Sequence, residues 1–311
     1  MSNPSKINII GDIINNAYGR ARKSWEAREI EGYQKLAQSQ AEDGCQYLDV
    51  NIDGTQSIMV RQQEMIDFIP TLIPALQEAT DVPLCFDNPA YIFHKTCMEN
   101  YDFSKGGKPI LNSIAASRTE IDELLALVKK YDTKVLVMAS ERYLEGTSGD
   151  SGQCFSADEV YQSAKVFVKI LKDKTGRIND DIIIDPGLAP VGADTYGLVN
   201  MGLDAMKMIT EDDEMHGVHF SVGLSNFAWG TPKLIRHELE RAYLTLGSAV
   251  GLDMALANSE KNPTPLDASD PLIAQLKRAL DAGRVVGDES QEDAGFRQAE
   301  GILDICAAFI D

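Results

Sequence analysis

Eight short apolar segments recur along the 311-residue chain, and longer amphipathic segments separate them. They are rich in Ile, Val and Leu without strict alternation, as strands that are buried on both faces should be. The segments are residues 7–12, 47–52, 82–88, 109–114, 134–140, 181–187, 218–226 and 253–259. Eight strand–helix units in this order predict an α/β fold of the (βα)8 TIM-barrel type. A doubly wound open sheet is the alternative, but the first strand–helix turn lacks its Gly-x-Gly-x-x-Gly fingerprint.

The segments between these strands carry helix start and stop signals. The clearest helical segments are residues 25–44, 117–132, 156–176 and 231–251. Gly44 can supply a left-handed cap at the end of the first. Ser156 and Glu159 have the spacing of a capping box, and Pro232 stands where a first helical turn tolerates proline. These signals support alternating strands and helices along the whole chain.

A linker rich in Pro, Gly or Ser is absent, and the length suits one α/β barrel, so we expect a single domain. We assign residues 1–262 to the barrel core. Residues 263–311 would supply the last barrel helix and a C-terminal helical extension, with one extra helix within residues 288–311.

The charge and the cysteine pattern exclude several classes of function. A formal net charge of −19 and a pI near 4.6 argue against nucleic acid as a partner. The N-terminus has no signal-peptide pattern, and no apolar run is long enough to cross a membrane. The five cysteines are odd in number and lack Cys-x-x-Cys spacing, which argues against a disulfide framework and a structural zinc site. We expect a cytoplasmic protein.

Carboxylates and carboxamides stand at the ends of nearly all predicted strands. Together with two serines, these residues are Asp12, Asp49, Asn51, Asp87, Asn88, Asn112, Ser140, Glu141, Asp185, Ser225, Asn226 and Asn258. Asp and Asn favour strand ends for local reasons, because their side chains form turns. Local turns can explain a polar residue at any single strand end, but they explain less well why nearly all the predicted strands end on one. The carboxyl ends of barrel strands form the active-site face, so we expect these side chains to share one bowl.

The ring of oxygen-rich side chains limits what the bowl can bind. The four histidines lie away from the strand ends, except that His219 begins a strand, so zinc hydrolysis is not indicated. Magnesium bound by carboxylates remains open, because hard cations prefer oxygen ligands. A planar heterocycle with an aminopyrimidinone edge is another partner, because a carboxylate accepts two hydrogen bonds and Asn both donates and accepts. A pterin has that edge.

An ordered set of motifs resembles the pterin-binding methyltransferases of the (βα)8 class. These are the methyltetrahydrofolate:corrinoid/iron–sulfur protein methyltransferases and the folate domain of cobalamin-dependent methionine synthase. The motifs are LCFDN at 84–88, ILNSI at 110–114, IIDP at 183–186, GLSN at 223–226 and GLDMALANS at 251–259. IIGDIINN at 9–16 is similar to the opening motif of that family, with Asp12 where Glu is usual, and YLDVNI at 47–52 matches its second strand. The resemblance covers roughly residues 7–260.

The resemblance implies roles for eight residues at the strand ends. Asp87, Asn112 and Asp185 would hold the pterin edge, and Asn226 would lie near the N5 atom that carries the methyl group. Asp12, Asp49, Asn51 and Ser225 would line the same bowl with less specific roles. Asn226 and Asp87 are the residues that we expect to take part in catalysis. No metal ligand is implied.

The resemblance also implies the substrates and the partner. A methyl group would move between N5 of tetrahydrofolate and the cobalt of a corrinoid, and the family pattern fits either direction. The chain lacks the Asp-x-His-x-x-Gly corrinoid signature, so we expect the corrinoid (cobalamin) on a separate protein that docks over the barrel mouth. Residues 141–159 would either contact that protein or form a solvated connection. A homodimer is implied by the family alone.

Three other functions remain as alternatives. The first is a dihydropteroate synthase-like pterin enzyme, although the residues after Asn15, NAYGRARKSW, do not match the Asn-Thr-Pro-Asp-Ser-Phe loop expected of that family. The second is a non-catalytic pterin-binding module. The third is a magnesium-dependent (βα)8 lyase, which would depend on a divalent cation.

Overall fold

Eight parallel strands form a closed barrel in a computed structural model that describes residues 6–143 and 152–310, the side chain of Ile310 excepted. The barrel strands are β1 (Asn8–Asn15), β2 (Tyr47–Asn51), β3 (Leu84–Asp87), β4 (Ile110–Ala115), β5 (Lys134–Met138), β6 (Ile182–Asp185), β7 (His219–Phe220) and β8 (Met254–Ala257). Their order is β8-β1-β2-β3-β4-β5-β6-β7. This order confirms the single-domain TIM barrel and excludes the doubly wound sheet.

The seventh strand is much shorter than the sequence predicts. We expected a strand over residues 218–226, but β7 has two residues, and Leu224–Asn226 form a turn of 3-10 helix. The barrel closes instead through a single parallel bridge between Gly223 and Leu256, where the Leu256 amide donates to the Val222 carbonyl at 2.9 Å. The apolar run therefore reflects burial of an irregular segment and not an extended strand.

The helices surround the barrel. Those within the described residues are α1 (Gly19–Ala27), α2 (Ile30–Glu42), α3 (Gln62–Ala79), α4 (Tyr91–Asn100), α5 (Ile121–Lys130), α6 (Ala157–Thr175), α7 (Leu198–Thr210), α8 (Arg236–Ser248), α9 (Pro271–Ala282) and α10 (Gln291–Ile310). None of them is long and apolar enough to cross a membrane. After β8 the chain continues with α9, the last barrel helix, which packs on α8, and with the additional helix α10, which packs on α9. The boundary that we place at residue 262 stays a prediction.

Two helix predictions need correction, and one is confirmed in part. Residues 25–44 do not form one helix, because Arg28 takes a left-handed conformation (φ 52°) that ends α1 before α2 begins. Pro232 lies before α8 and not in its first turn. Ser156 does cap α6 by accepting a hydrogen bond from the Glu159 amide. The Glu159 side chain, however, accepts from the Phe155 amide, so the reciprocal half of the capping box is missing.

The interior of the barrel explains why apolar strands end on polar residues. Six buried side chains, one from each of six strands, form the inner core: Ile10, Cys85, Ile110, Leu136, Ile183 and Met254. Side chains alternate along a strand, so the residue two positions later also faces inward. For five of these strands that residue lines a cavity at the carboxyl end: Asp87, Asn112, Met138, Asp185 and Leu256. The alternate residues, such as Phe86 and Ile184, pack outward in the main core.

Candidate functional site

A cavity of about 320 Å³ opens at the carboxyl ends of the barrel strands. This volume lies near the lower limit of small-molecule sites, which is about 300 Å³. Asp87, Asn112, Asp185 and Asn226 all line the cavity, so the structure brings together four of the eight predicted site residues. Apolar side chains complete the lining: Ile10, Leu136, Met138, Leu188, Val222 and Leu256. A flat ring with a polar edge suits this combination, because it needs apolar contacts on its faces and hydrogen bonds at its edge.

Asp87 ends β3 and is held by a neighbour from β2. The Asn51 amide nitrogen donates a hydrogen bond of 3.0 Å to one Asp87 oxygen, and the Asn51 oxygen accepts from the Asp53 amide at 3.2 Å. Burial raises the pKa of Asp87, while the hydrogen bond from Asn51 and the charge of Arg118 act against that rise. Asn51 is thus a supporting residue for Asp87 and is not part of the cavity lining.

Asn112 lies directly beside Asp87. The two residues are paired in register between β4 and β3, and the Asn88 amide donates to the Asn112 carbonyl at 3.1 Å. Its side chain is 8% exposed and faces the cavity. A carboxylate and a carboxamide therefore stand side by side, which gives acceptors and donors to one edge of a ligand.

Asp185 ends β6 after three fully buried isoleucines, Ile182 to Ile184. The Gly187 amide donates a hydrogen bond of 2.7 Å to its carboxylate, within an Asp-Pro-Gly turn. Gly187 has φ 86°, and a Cβ there would lie 2.7 Å from the Ser140 side chain, so the turn requires glycine. Burial raises the pKa of Asp185 to about 7, despite the opposing hydrogen bond from Gly187.

Asn226 reaches the cavity from the 3-10 turn that follows β7. A Cβ built on Gly223 would lie 2.9 Å from the Asn226 amide nitrogen, so the side chain folds back over a glycine. Asn226 is exposed, in contrast to the buried Asn112. The cavity thus has a rigid side, built from strand ends, and a more open side that carries one carboxamide.

Asp12 and Ser225 do not line the cavity. One Asp12 oxygen accepts a hydrogen bond from the Tyr18 hydroxyl at 2.9 Å, and the other accepts from the Ser225 hydroxyl at 3.1 Å. Burial raises the pKa of Asp12, and both hydrogen bonds oppose that rise. This arrangement joins β1 to the loop after β7, which holds the Asn226 turn in place.

Asp49 is fully buried inside the barrel, outside the cavity lining. It is paired in register with Cys85, and neither of its carboxyl oxygens has a hydrogen-bond partner among the described residues. Burial raises the pKa of Asp49 well above its usual range, and the charges of Asp87 and Asp12 raise it further. This environment favours the neutral acid, and Asp49 does not contact the cavity in this structure.

Among the described residues, the cavity lining includes one basic side chain that does not stand at a strand end. Arg118 lies in the loop after β4, where its guanidinium contacts the Ser113 carbonyl at 3.5 Å and the Ser113 hydroxyl at 3.3 Å. Glu141, one of the strand-end carboxylates, also lines the cavity, and its side chain accepts a hydrogen bond from the Ser117 amide at 2.8 Å. A search that included the strand–helix loops would have found Arg118.

Metal-binding and thiol chemistry are not prominent in the described part of the chain. Groups of three or more His, Cys, Asp or Glu side chains arranged to hold a metal ion are absent there. All five cysteines, including Cys85 and Cys97, are free and buried. Residues 144–151 of the predicted contact loop lie outside the described residues. The short strands that flank them, Glu141–Arg142 and Gly152–Gln153, pair in antiparallel fashion.

Comparison with known proteins identifies the family. Residues 11–258 match the sequence profile of the family described as pterin binding enzyme. A methylcorrinoid:tetrahydrofolate methyltransferase from Eubacterium limosum is 25% identical over 269 residues, which cover 86% of this chain and 89% of that protein. The fold is similar to 7,8-dihydropteroate synthase from Vibrio fischeri (TM-score 0.59, 13% identity, 83% of this chain and 89% of the other). It is also similar to dihydropteroate synthase from Clostridium difficile (TM-score 0.58, 15% identity, 85% and 95%). The chain therefore belongs to the pterin-binding enzymes.

Proposed function

We propose that this enzyme transfers a methyl group between N5 of tetrahydrofolate and the cobalt of a corrinoid that a separate protein carries. The observation that carries the proposal is the cavity in which Asp87, Asn112 and Asp185 face Asn226. The similarity to a methylcorrinoid:tetrahydrofolate methyltransferase supports this choice among the reactions of pterin-binding enzymes.

The polar side of the cavity fits the hydrogen-bonding edge of a pterin. Asp87 and Asp185 can accept from the ring N–H and amino groups, and Asn112 can donate to a ring nitrogen or the carbonyl oxygen. The apolar lining, including Leu136 and Met138, supplies contacts for the ring faces. Among the described cavity residues, Arg118 is the one with a positively charged side chain. A substrate that carries a diphosphate would need more positive charge than this.

Methyl transfer from methyltetrahydrofolate requires that N5 become a good leaving group. The bond between N5 and the methyl carbon breaks with its electron pair left on nitrogen, and a proton must reach that nitrogen. Asn226 can hold the proton-donating water or share a hydrogen bond with N5 as negative charge develops. When bound, the corrinoid supplies the cobalt that accepts or gives the methyl group. The chain itself fixes the pterin so that N5 faces the open mouth.

Exposed apolar side chains on the loops around the mouth suit a docking protein. Trp229, three residues after Asn226, is 69% exposed, and Leu234 is 74% exposed in the same loop. Phe155 and Tyr196, from the loops after β5 and β6, are both exposed and have ring centroids 6.1 Å apart. Exposed aromatic groups are typical of interface cores. We expect the corrinoid protein to cover them. The cytoplasmic location and the homodimer stay predictions.

Calorimetry and turnover together test the proposal. Methyltetrahydrofolate is titrated into the wild type, into Asp185→Ala and into Asp267→Ala, a control at an exposed aspartate. Methyl transfer is followed with free methylcobalamin and tetrahydrofolate, by the loss of the methylcobalamin spectrum. We expect binding that Asp185→Ala abolishes and the control retains, together with enzyme-dependent transfer.

Each result that contradicts this expectation would indicate a different function. A wild type that fails to bind methyltetrahydrofolate would remove the pterin from the proposal. Binding without any transfer would indicate a non-catalytic pterin-binding module. Condensation of a dihydropterin diphosphate with p-aminobenzoate would indicate dihydropteroate synthase activity instead.

A further inference from the structure

We infer that Arg118 is a positioning residue for the pterin: from the wall of the same cavity, its guanidinium charge favours the form of Asp87 that only accepts hydrogen bonds from the ligand. Arg118 and Asp87 both line this cavity, although Arg118 follows β4 and Asp87 ends β3. The inference rests on the proposed pterin site, and it assigns a role to a residue that strand-end motifs do not mark.

Ser113 holds the Arg118 guanidinium in place through hydrogen bonds. Both the carbonyl and the hydroxyl of Ser113 accept from it, and Ser113 directly follows Asn112 on β4. Asn112 is in turn paired in register with Asp87. One strand therefore holds both the carboxamide beside Asp87 and the cation that acts on it, so the three groups keep a fixed arrangement. Arg118 is also attracted to Glu141, which lines the cavity beside it.

The other titratable groups around Asp87 either oppose its charge or add none. Asp53, in the loop after β2, raises the pKa of Asp87. Asp49, on β2, and Cys85, on β3 itself, are fully buried, and the charge of Asp87 raises the pKa of both groups. His94, on α4, has its pKa lowered to about 4 by burial and is neutral. Two described groups oppose these effects: first the hydrogen bond from the neutral Asn51, and then the positive charge of Arg118.

Asp185 shows what the same cavity does to a carboxyl group that has no cationic partner among the described residues. It is also at a strand end, but of the described groups only the Gly187 amide opposes the effect of burial, and the pKa of Asp185 reaches about 7. Near neutral pH Asp185 is thus a mixture of acid and carboxylate, whereas Asn51 and Arg118 both favour the carboxylate form of Asp87. A carboxylate accepts only, so Asp87 selects ligands that present N–H groups at that edge.

A competing role for Arg118 is direct binding of the carboxylates on the folate tail, which bidentate arginine contacts favour. The two roles predict different ligand dependence. If Arg118 acts through Asp87, its removal weakens a tetrahydropterin without a tail as much as it weakens tetrahydrofolate. If Arg118 binds the tail, only tetrahydrofolate loses affinity.

The test combines carboxyl NMR with calorimetry on Arg118→Met, Arg118→Lys and the wild type. Aspartate carboxyl groups are labelled with ¹³C and titrated without ligand, and Asp87→Asn assigns the Asp87 signal. Arg284→Met is the control, because Arg284 pairs with Asp204 away from the cavity. Tetrahydrofolate and a tail-free tetrahydropterin are then titrated into each variant at several pH values.

We expect Arg118→Met to raise the midpoint of Asp87 by about one pH unit or more, and Arg118→Lys to restore most of that change. Both ligands should lose affinity by the same factor, about tenfold at pH values between the two midpoints, and the loss should shrink at higher pH. An unchanged Asp185 midpoint would show that the variant is folded.

Two results would overturn the inference: an unchanged Asp87 midpoint, or a loss of affinity confined to tetrahydrofolate. The carboxyl titration needs no turnover, so a failure of the methyl-transfer proposal would leave this part of the test intact. Conversely, a protein that transfers methyl groups but has an unshifted Asp87 midpoint would refute the role of Arg118 alone.

Discussion

Asn51 and Asp87 form a hydrogen bond of 3.0 Å between the ends of two neighbouring strands. The sequence placed both residues in the bowl, but the structure separates their positions: Asp87 lines the cavity, and Asn51 supports it from the side. The oxygen of Asn51 is itself fixed by the Asp53 amide, so its nitrogen must point toward Asp87. The orientation of one cavity carboxylate therefore depends on a residue that need not touch the ligand.

Asn51→Ala should weaken the binding of methyltetrahydrofolate by about tenfold to a hundredfold, because a hydrogen bond to a charged group contributes about 1.5–3 kcal/mol. The variant leaves Asp87 free to rotate and removes one group that lowers its pKa. Calorimetry at neutral pH measures the change, with Asn179→Ala, near the opposite end of the barrel, as the control. An unchanged affinity would show that Asp87 keeps its orientation without Asn51.

The pKa of Asp185, about 7, predicts a pH-dependent affinity. If the ligand binds the carboxylate, the dissociation constant should fall as pH rises through about 7 and level off above about pH 8, with a limiting slope near tenfold per unit. Asp185→Asn should weaken binding overall and remove the part of this slope that Asp185 causes. Titrations between about pH 6 and pH 9 test this expectation. A slope that survives in Asp185→Asn would assign the titration to another group.

Asn226→Ala should separate binding from transfer. The side chain reaches the cavity from the open side, away from the three residues that we assign to the pterin edge. We expect a dissociation constant for methyltetrahydrofolate close to that of the wild type. The transfer rate should fall by about a hundredfold to a thousandfold, as for other removed transition-state donors. Equal losses in binding and rate would mean that Asn226 holds the substrate instead of assisting the departure of N5.

The strand-end residues show how far sequence patterns reach. Asp87, Asn112 and Asp185 were predictable because parallel strands bring their carboxyl ends to one face, and because alternate residues point inward. The same pattern could not show that Asp49 lies outside the cavity. Asp49 also points into the barrel, but it lies one inward-facing position deeper than Asp87, at the level of Cys85. Depth inside a barrel depends on the register between strands, and register is a property of the whole sheet.

Other features depended on contacts that no local pattern encodes. Arg28 breaks a segment with helical periodicity, because it takes a left-handed conformation while its guanidinium stacks over Trp25 at 3.7 Å. Arg118 reaches the cavity from a loop, and only the paths of β3 and β4 bring it near Asp87. The Asn226 turn replaced a predicted strand, since Gly223 lets the chain fold back where an extended segment was expected.

Asp49→Asn should change how stability depends on pH. The folded-state pKa of Asp49 is raised by burial, so the folded protein holds this proton more tightly than the unfolded chain does. The contribution of Asp49 to stability is therefore complete below its unfolded pKa, about 3.9, and is lost as pH rises through the folded pKa. In that window the loss reaches about 1.4 kcal/mol per pH unit, and the asparagine variant cannot show it. Its free energy of unfolding should thus rise relative to the wild type as the pH increases above about 4. Urea unfolding at each pH measures the difference, with Asp267→Asn at an exposed site as the control. Parallel stability curves for Asp49→Asn and the wild type would show that Asp49 is ionised in the barrel.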